Sequence, residues 1–179
     1  MLTIVVPGDE WFDPEKDEFI TVDDVTLELE HSLVSLSKWE SKYQKPFLDK
    51  KPKTNEETLW YIRAMTLTPN VSPKVYGRIK SDLIEVIDGY INNKMTATTI
   101  NDKNAKVSNE VVTAEIIYHW MISYNIPFEC QNWHLNRLIT LIRICNIKNA
   151  SPKKMSRQQA AARQRELNAQ RRAQYGTRG

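Results

Sequence analysis

The sequence predicts a mainly α-helical α+β protein: an N-terminal β-hairpin or small sheet packed on a bundle of about five helices, plus a protruding basic C-terminal helix. Val25, Leu27 and Leu29 alternate with polar neighbours, and this period of two is typical of a strand. From Leu33 onward the apolar residues recur at helical spacing. Helix-start patterns at several later positions support the same fold class.

Two strands are predicted first, at Thr3–Val6 and Phe19–Leu29, joined by an acidic, turn-rich loop at Gly8–Glu18. Ile20 and Val22 have the opposite phase to the apolar residues that follow them. The Asp23-Asp24 pair between the two phases therefore predicts a bulge or a turn.

Helices follow the strands. Leu33, Leu36, Trp39 and Tyr43 line one face of a helix that ends before Pro46. The segment Thr54–Glu57 has the capping-box pattern, in which a hydroxyl and a carboxylate each accept from the other residue's backbone amide. It predicts a second helix start.

The helical pattern continues to the C-terminus. Ser72-Pro73 predicts a helix whose first turn is separated at Gly77, because proline is tolerated at the first helical position. A polar loop is expected at Asn92–Asn109, followed by the two most hydrophobic helices at Val111–Tyr124 and Gln131–Ile147. The second of these has an apolar sector broad enough to predict a central position.

The predicted domain organisation has two parts. Residues 1–150 form a globular domain, with an acidic hairpin at 1–30 and a helical core at 31–150. Residues 151–179 form a basic helical arm, in which the capping pattern Ser156–Gln159 starts a helix that runs to about Tyr175.

The two ends of the chain carry opposite charge. The first 30 residues contain ten acids and the single base Lys16, whereas residues 151–179 contain eight bases and the single acid Glu166. Such asymmetry favours a binding role. We predict partner binding by the acidic loop through Asp13, Glu15, Asp17 and Glu18, and by the basic arm through Lys153, Lys154, Arg157, Arg163, Arg165, Arg171, Arg172 and Arg178.

The basic arm is compatible with two kinds of partner. Its arginines suit phosphate contacts, as in nucleic-acid binding. Its small residues favour packing against another helix instead, and they are Ala160, Ala161, Ala162, Leu167, Ala169 and Ala173. A solvated terminal helix without a partner is the third interpretation.

Metal and cofactor sites are not predicted. Cys130 and His134 are one helical turn apart, but His119 and Cys145 do not complete a zinc-ligand spacing. The acidic loop lacks the glycine and the terminal glutamate of a calcium-binding EF-hand. We interpret the two cysteines as reduced thiols in helices and expect no cofactor.

Catalysis and membrane insertion are not predicted either. The sequence has no nucleophile-elbow, Walker or glycine-rich phosphate-binding pattern, so we expect a protein that is not an enzyme. Charges interrupt every long apolar stretch and no basic leader precedes the first apolar residues, so neither a membrane span nor a signal peptide is expected.

Three segments carry a resemblance to a known family. Tyr118–Arg143, Leu33–Glu40 and the Met155-Ser156-Arg157 opening of the arm resemble small proteins of the tail modules of long-tailed bacteriophages and prophages, namely the tail assembly chaperones. The resemblance extends from about Asp23 to the end of the chain. Its motifs define no active site.

The resemblance implies a function and a location. Such chaperones are thought to coat the long, helical, aggregation-prone tape measure protein, in the host cytoplasm, until the tail tube polymerises around it. The implied partners are the tape measure protein or other phage structural proteins, together with further copies of this chain. Opposite charges at the two ends favour head-to-tail contacts between copies.

Two alternatives remain open. The first is a structural virion protein, a head–tail or capsid component, that assembles through its charged termini and is retained in the virion. The second is a nucleic-acid-binding protein that uses the basic arm.

Overall fold

The described part of the chain contains four short strands, seven α-helices and one 3-10 helix. The computed structural model describes residues 1–15, 17–49, 51–100, 111–149 and 157–176, with backbone only at 11, 13, 20, 159 and 160. The elements are β1 Leu2–Val6, β2 Asp9–Asp13, β3 Glu18–Val22, β4 Val25–Leu29, α1 Leu33–Tyr43, α2 Asn55–Met65, α3 Pro73–Tyr76, α4 Ser81–Ile91, α5 Ala114–Ser123, α6 Leu135–Asn149 and α7 Arg157–Tyr175. The predicted mainly α, α+β class is confirmed.

The four strands form one long antiparallel hairpin in two sections. β1 pairs with β4 from Leu2↔Leu29 onward, and β2 pairs with β3 from Asp9↔Val22 to Asp13↔Glu18. The register is the same in both sections, because two residues interrupt each strand: 7–8 on one side and 23–24 on the other. The predicted interruption at 23–24 is therefore present, but it is not a bulge, which would add a residue to one strand only.

The prediction of a loop at Gly8–Glu18 is wrong over most of its length. β2 occupies Asp9–Asp13 and β3 begins at Glu18, so only the few residues between them form the turn. Acidic residues are uncommon in strands, which is why the segment resembles a loop in the sequence. Pairing with β3 outweighs that preference.

The base of the hairpin is built into the core. Ile4, Val6, Leu27 and Leu29 are buried on one face, as the alternation of the sequence predicts. Met65–Leu67, at the end of α2, covers the free edge of β4: Glu30 N–H donates to Met65 O (2.9 Å) and Leu67 N–H donates to Glu28 O (2.8 Å). Covering this edge protects it from pairing with another chain.

The first two helices begin where side chains cap them. The box predicted at Thr54 is confirmed: Thr54 Oγ1 accepts from Glu57 N–H (3.2 Å), and Glu57 Oε2 accepts from Thr54 N–H (2.9 Å). α1 has a second box between Ser32 and Ser35, in which a hydroxyl replaces the usual carboxylate. Trp39 joins the two helices by donating from Nε1 to Glu57 O (3.0 Å).

A buried carboxylate connects α1 to two later segments. Glu40 accepts from Phe47 N–H through Oε1 and from Ala114 N–H through Oε2, each at 2.7 Å. Ala114 is the first residue of α5, so the carboxylate lies at a helix N-terminus, where negative charge is favourable. Glu40 thereby fixes the loop after α1 and the start of α5 to one helix.

The remaining helices follow the predictions with one shift. Gly77 separates α3 from α4 as expected, α2 begins at the predicted capping box, and α1 and α5 lie within three residues of their predicted limits. The helix predicted from Gln131 begins at Leu135 instead, because a 3-10 helix occupies Phe128–Asn132. The predicted loop at Asn92–Asn109 has no helix or strand up to residue 100, and its later residues are outside the described chain.

The chain divides into two compact units, Met1–Cys145 and Asn146–Gly179. The first contains the hairpin and the buried core. The second contains α7.

Candidate functional site

The acidic residues predicted to bind a partner lie at the tip of the hairpin. Asp13 and Glu18 are register partners at the ends of β2 and β3, and Glu15 and Asp17 lie in the turn between them. The side chains of Glu15, Asp17 and Glu18 are exposed, whereas that of Asp13 is outside the described part. The tip thus concentrates negative charge on a two-stranded ribbon.

An exposed aromatic pair accompanies these acids. Phe12 and Phe19 are register partners, and their ring centroids are 5.3 Å apart. Cross-strand aromatic pairs stabilise two-stranded ribbons. The rings remain 47% and 68% exposed, so this apolar surface is available to a partner. The pair was not predicted from the sequence, because Phe12 was assigned to a loop.

The two strands approach each other closely where the two sections of the hairpin meet, at residues 7–8 and 23–24. Gly8 N–H donates to Asp24 Oδ1 (2.6 Å), and a Cβ at Gly8 would collide with the carbonyl oxygen of Val22. An open groove of about 700 Å³ lies beside it, lined by Asp9, Glu10 and residues 21–24 among others. Its carboxylates extend the acidic surface from the tip towards the core.

The basic residues predicted to bind a partner fall into two groups. Arg157, Arg163, Arg165, Arg171 and Arg172 lie on α7 and are exposed. Lys153, Lys154 and Arg178 lie outside the described residues, as does the predicted cap residue Ser156. None of the five helical arginines forms an ion pair with Glu166, the acidic residue of α7.

Helical geometry sorts the residues of α7 onto two faces. At about 100° per residue, Arg157, Arg165, Arg171 and Arg172 lie within an arc of about 120°. Ala162, Ala169 and Ala173 share a second arc of about 40° beside it. Ala161 and Leu167, which were predicted to share a face with these alanines, lie elsewhere on the helix.

A buried polar cluster in the first unit was not anticipated. His31 and His134 are 2% and 4% exposed, and their ring centroids are 5.1 Å apart. His31 Nδ1 is 2.6 Å from the hydroxyl of Tyr61, which is itself 3.3 Å from Ser35 Oγ. The two histidines are far apart in the sequence, so no spacing pattern indicates that they meet.

His134 caps the N-terminus of α6. Its carbonyl accepts from Leu138 N–H (3.1 Å), and its Nδ1 accepts from Asn136 N–H (3.3 Å). The neutral ring therefore carries its proton on Nε2, which donates to Tyr90 O (3.1 Å). Protonation of Nδ1 would remove the cap and place a positive charge at a helix N-terminus.

Burial shifts the ionisation of this cluster. Burial, with a smaller effect from His134, lowers the pKa of His31 from its usual 6.5 to about 3. Burial also lowers the pKa of His134, although the bond to Tyr90 O opposes the shift. Burial raises the pKa of Tyr61, so the cluster is neutral at physiological pH.

The residues weighed as metal ligands do not form a metal site in the described chain, where no group of three or more His, Cys, Asp or Glu side chains is placed to hold an ion. Cys130 is buried and Cys145 is half-buried, both as free thiols. Among the helices of the described residues, none has the length and apolar character needed to cross a bilayer.

Comparison with known proteins found no matching family model, no matching curated protein and no matching solved structure.

Proposed function

We propose that this protein is a non-enzymatic tail assembly chaperone of a long-tailed phage, which binds the tape measure protein and keeps it soluble during tail morphogenesis. The resemblance of Tyr118–Arg143 and Leu33–Glu40 to that family motivates the proposal. The observation that carries it is α7, a 19-residue helix in which every described side chain is exposed.

The surface chemistry of α7 supports a helical protein partner. Most residues of α7 are polar, and a helix of this composition has little apolar surface of its own to bury, so that a partner provides most of its stabilisation. The arc of Ala162, Ala169 and Ala173 allows close approach of another helix, and the arginine arc beside it suits acidic side chains. A long helical client offers both kinds of contact repeatedly.

The acidic hairpin supports assembly into a coat of several copies. Its exposed Phe12 and Phe19 supply apolar contact area, and the surrounding carboxylates supply charge complementary to α7. Head-to-tail contacts of this kind repeat along an extended client. A chaperone acting this way works in the host cytoplasm, needs no cofactor and is absent from the finished virion.

The test is co-expression with a phage tape measure protein. The chain should increase the soluble fraction of that protein, and replacing Arg157, Arg165, Arg171 and Arg172 by Gln should abolish the increase. The matched control replaces four exposed lysines of the first unit by Gln, namely Lys38, Lys42, Lys74 and Lys80. Equal precipitation with and without the wild-type chain would refute the proposal.

Nucleic-acid binding is the second candidate, favoured by the four arginines on one face of α7. It predicts a mobility shift of DNA or RNA at low salt, with an affinity that falls steeply as salt rises and that the four-Gln variant lacks. The virion alternative is distinguished by mass spectrometry of purified particles, which should contain this chain only if it is a structural component.

A further inference from the structure

A cavity of about 340 Å³ lies between α2, α4 and the segment that joins α1 to α2. Most of its wall is apolar, from Phe47, Leu48, Ile62, Ile84, Ile87 and Ile91. The volume is at the lower end of the roughly 300–1,000 Å³ that small-molecule sites span. The size suits a small ligand with a substantial apolar part.

Lys53 is the cationic group of this wall. Its Nζ donates to Phe47 O (2.8 Å) and lies 4.1 Å from the centroid of the Phe47 ring and 5.7 Å from that of Trp39. No carboxylate of the described residues lies within ion-pair distance of it. The aromatic faces partly compensate the charge, but two of the three ammonium donors have no partner in the described chain.

The other polar groups of the wall do not replace a counterion. His31 is neutral at physiological pH and is bonded to Tyr61. Asn136 directs its Nδ2 donors to the carbonyls of Ile91 and Asn93 (3.0 and 2.8 Å). Asp88 is the acidic residue of the wall; its exposed carboxylate has no N–H or O–H to donate to an anion, so Lys53 is the group of the wall suited to bind one.

We propose that this cavity binds a small amphipathic carboxylate, with the carboxylate on Lys53 Nζ and the hydrocarbon chain among Ile84, Ile87 and Ile91. Glu57 and Asp49 act on this ammonium only from beyond ion-pair distance, and the ligand supplies a carboxylate in direct contact. A charged hydrogen bond of this kind is about twice as strong as a neutral one. Its chain fills apolar space that otherwise contacts solvent. This site is independent of the partner-binding surfaces and of the function proposed above.

The test compares octanoate with octanol, which have the same chain but different head groups. Both are titrated into the full-length protein and followed by backbone amide chemical shifts. Octanoate should bind about tenfold to a hundredfold more tightly than octanol, with the largest shifts around Lys53 and along α4. Lys53→Met, which keeps the packing of the stem, should reduce octanoate to the affinity of octanol.

Two further variants complete the test. Lys38→Met removes an exposed lysine of α1 and should leave both affinities unchanged. Ile84→Trp, which fills the cavity, should abolish binding of both ligands. Failure of the wild type to bind either compound, or equal affinity for the two, would overturn the proposal even if Lys53→Met does not fold. An octanoate preference that persists in folded Lys53→Met would also overturn it.

Discussion

Lowering the pH from 7.0 to 5.0 should destabilise this protein through its buried histidine pair. Because the folded-state pKa of His31 is about 3 and its usual value is 6.5, the unfolded chain binds a proton between these values that the folded chain does not. The contribution of His31 to the free energy of unfolding is therefore fully present above pH 6.5 and is lost progressively as the pH decreases towards 3. At pH 5.0 the His31 contribution is a loss of about 2 kcal/mol, since each pH unit below 6.5 costs about 1.36 kcal/mol.

His134 should add to this loss in the same direction. Burial lowers its pKa, and its protonation also removes the cap that Nδ1 provides to α6. The lowered pKa of Glu57 does not interfere, because its stabilising effect is lost only as the pH falls below the usual carboxyl value of 4.5. The pH interval from 7.0 to 5.0 therefore reports mainly on the histidines.

Urea unfolding at both pH values, followed by tryptophan fluorescence, measures the effect. The chain has three histidines, so three variants separate their roles. His31→Gln should remove about 2 kcal/mol of the pH dependence, His134→Asn should remove a further part, and the control His119→Gln, at an exposed position, should leave the dependence unchanged. A wild-type protein equally stable at both pH values, or a His31→Gln variant with the full wild-type slope, would refute the reasoning.

Three further changes test the architecture by urea unfolding at pH 7. Glu40→Gln should lower the free energy of unfolding by about 2–3 kcal/mol, because the amide nitrogen cannot accept from one of the two buried N–H groups that the carboxylate satisfies. The control is Glu56→Gln at an exposed position, and an equal loss in the two variants would contradict this role of Glu40. Gly8→Ala should lower the free energy of unfolding by about 1–3 kcal/mol, because its Cβ would collide with a backbone carbonyl. Gly89→Ala, which has open space in α4, should raise the free energy of unfolding by about 0.5–1 kcal/mol. The opposite ranking of the two variants would show that the hairpin junction tolerates a side chain. Ser32→Ala should cost about 1 kcal/mol by removing the cap of α1, and an unchanged urea midpoint would argue against the Ser32–Ser35 box.

The helical half of the fold was predictable because its signals are local. The capping box at Thr54, the proline at the start of α3 and the glycine after it each act within a few residues, so the sequence alone locates those helix ends. The predicted start of α6 at Gln131 was four residues early, because Gln131 and Asn132 belong to the 3-10 helix Phe128–Asn132 that precedes α6. His134 then caps the helix, which its sequence position does not indicate.

Long-range contacts explain what was not predictable in the candidate sites. The acidic and basic surfaces follow from charge counts, and α7 begins and ends near its predicted limits. The aromatic pair of Phe12 and Phe19 depends on strand register. The cavity at Lys53 depends on the packing of α2 and α4 around the loop after α1.

The sequence by itself determined the fold class, most helix starts and the opposite charges of the two ends, because residue type and short-range spacing act locally on the backbone and on the surface field. Only the tertiary structure decided that the acidic segment is a paired ribbon, that Glu40 joins α1 to α5, and that two distant histidines share one buried site. These features arise from contacts between residues far apart in the chain, where burial removes water and makes each unsatisfied polar group costly.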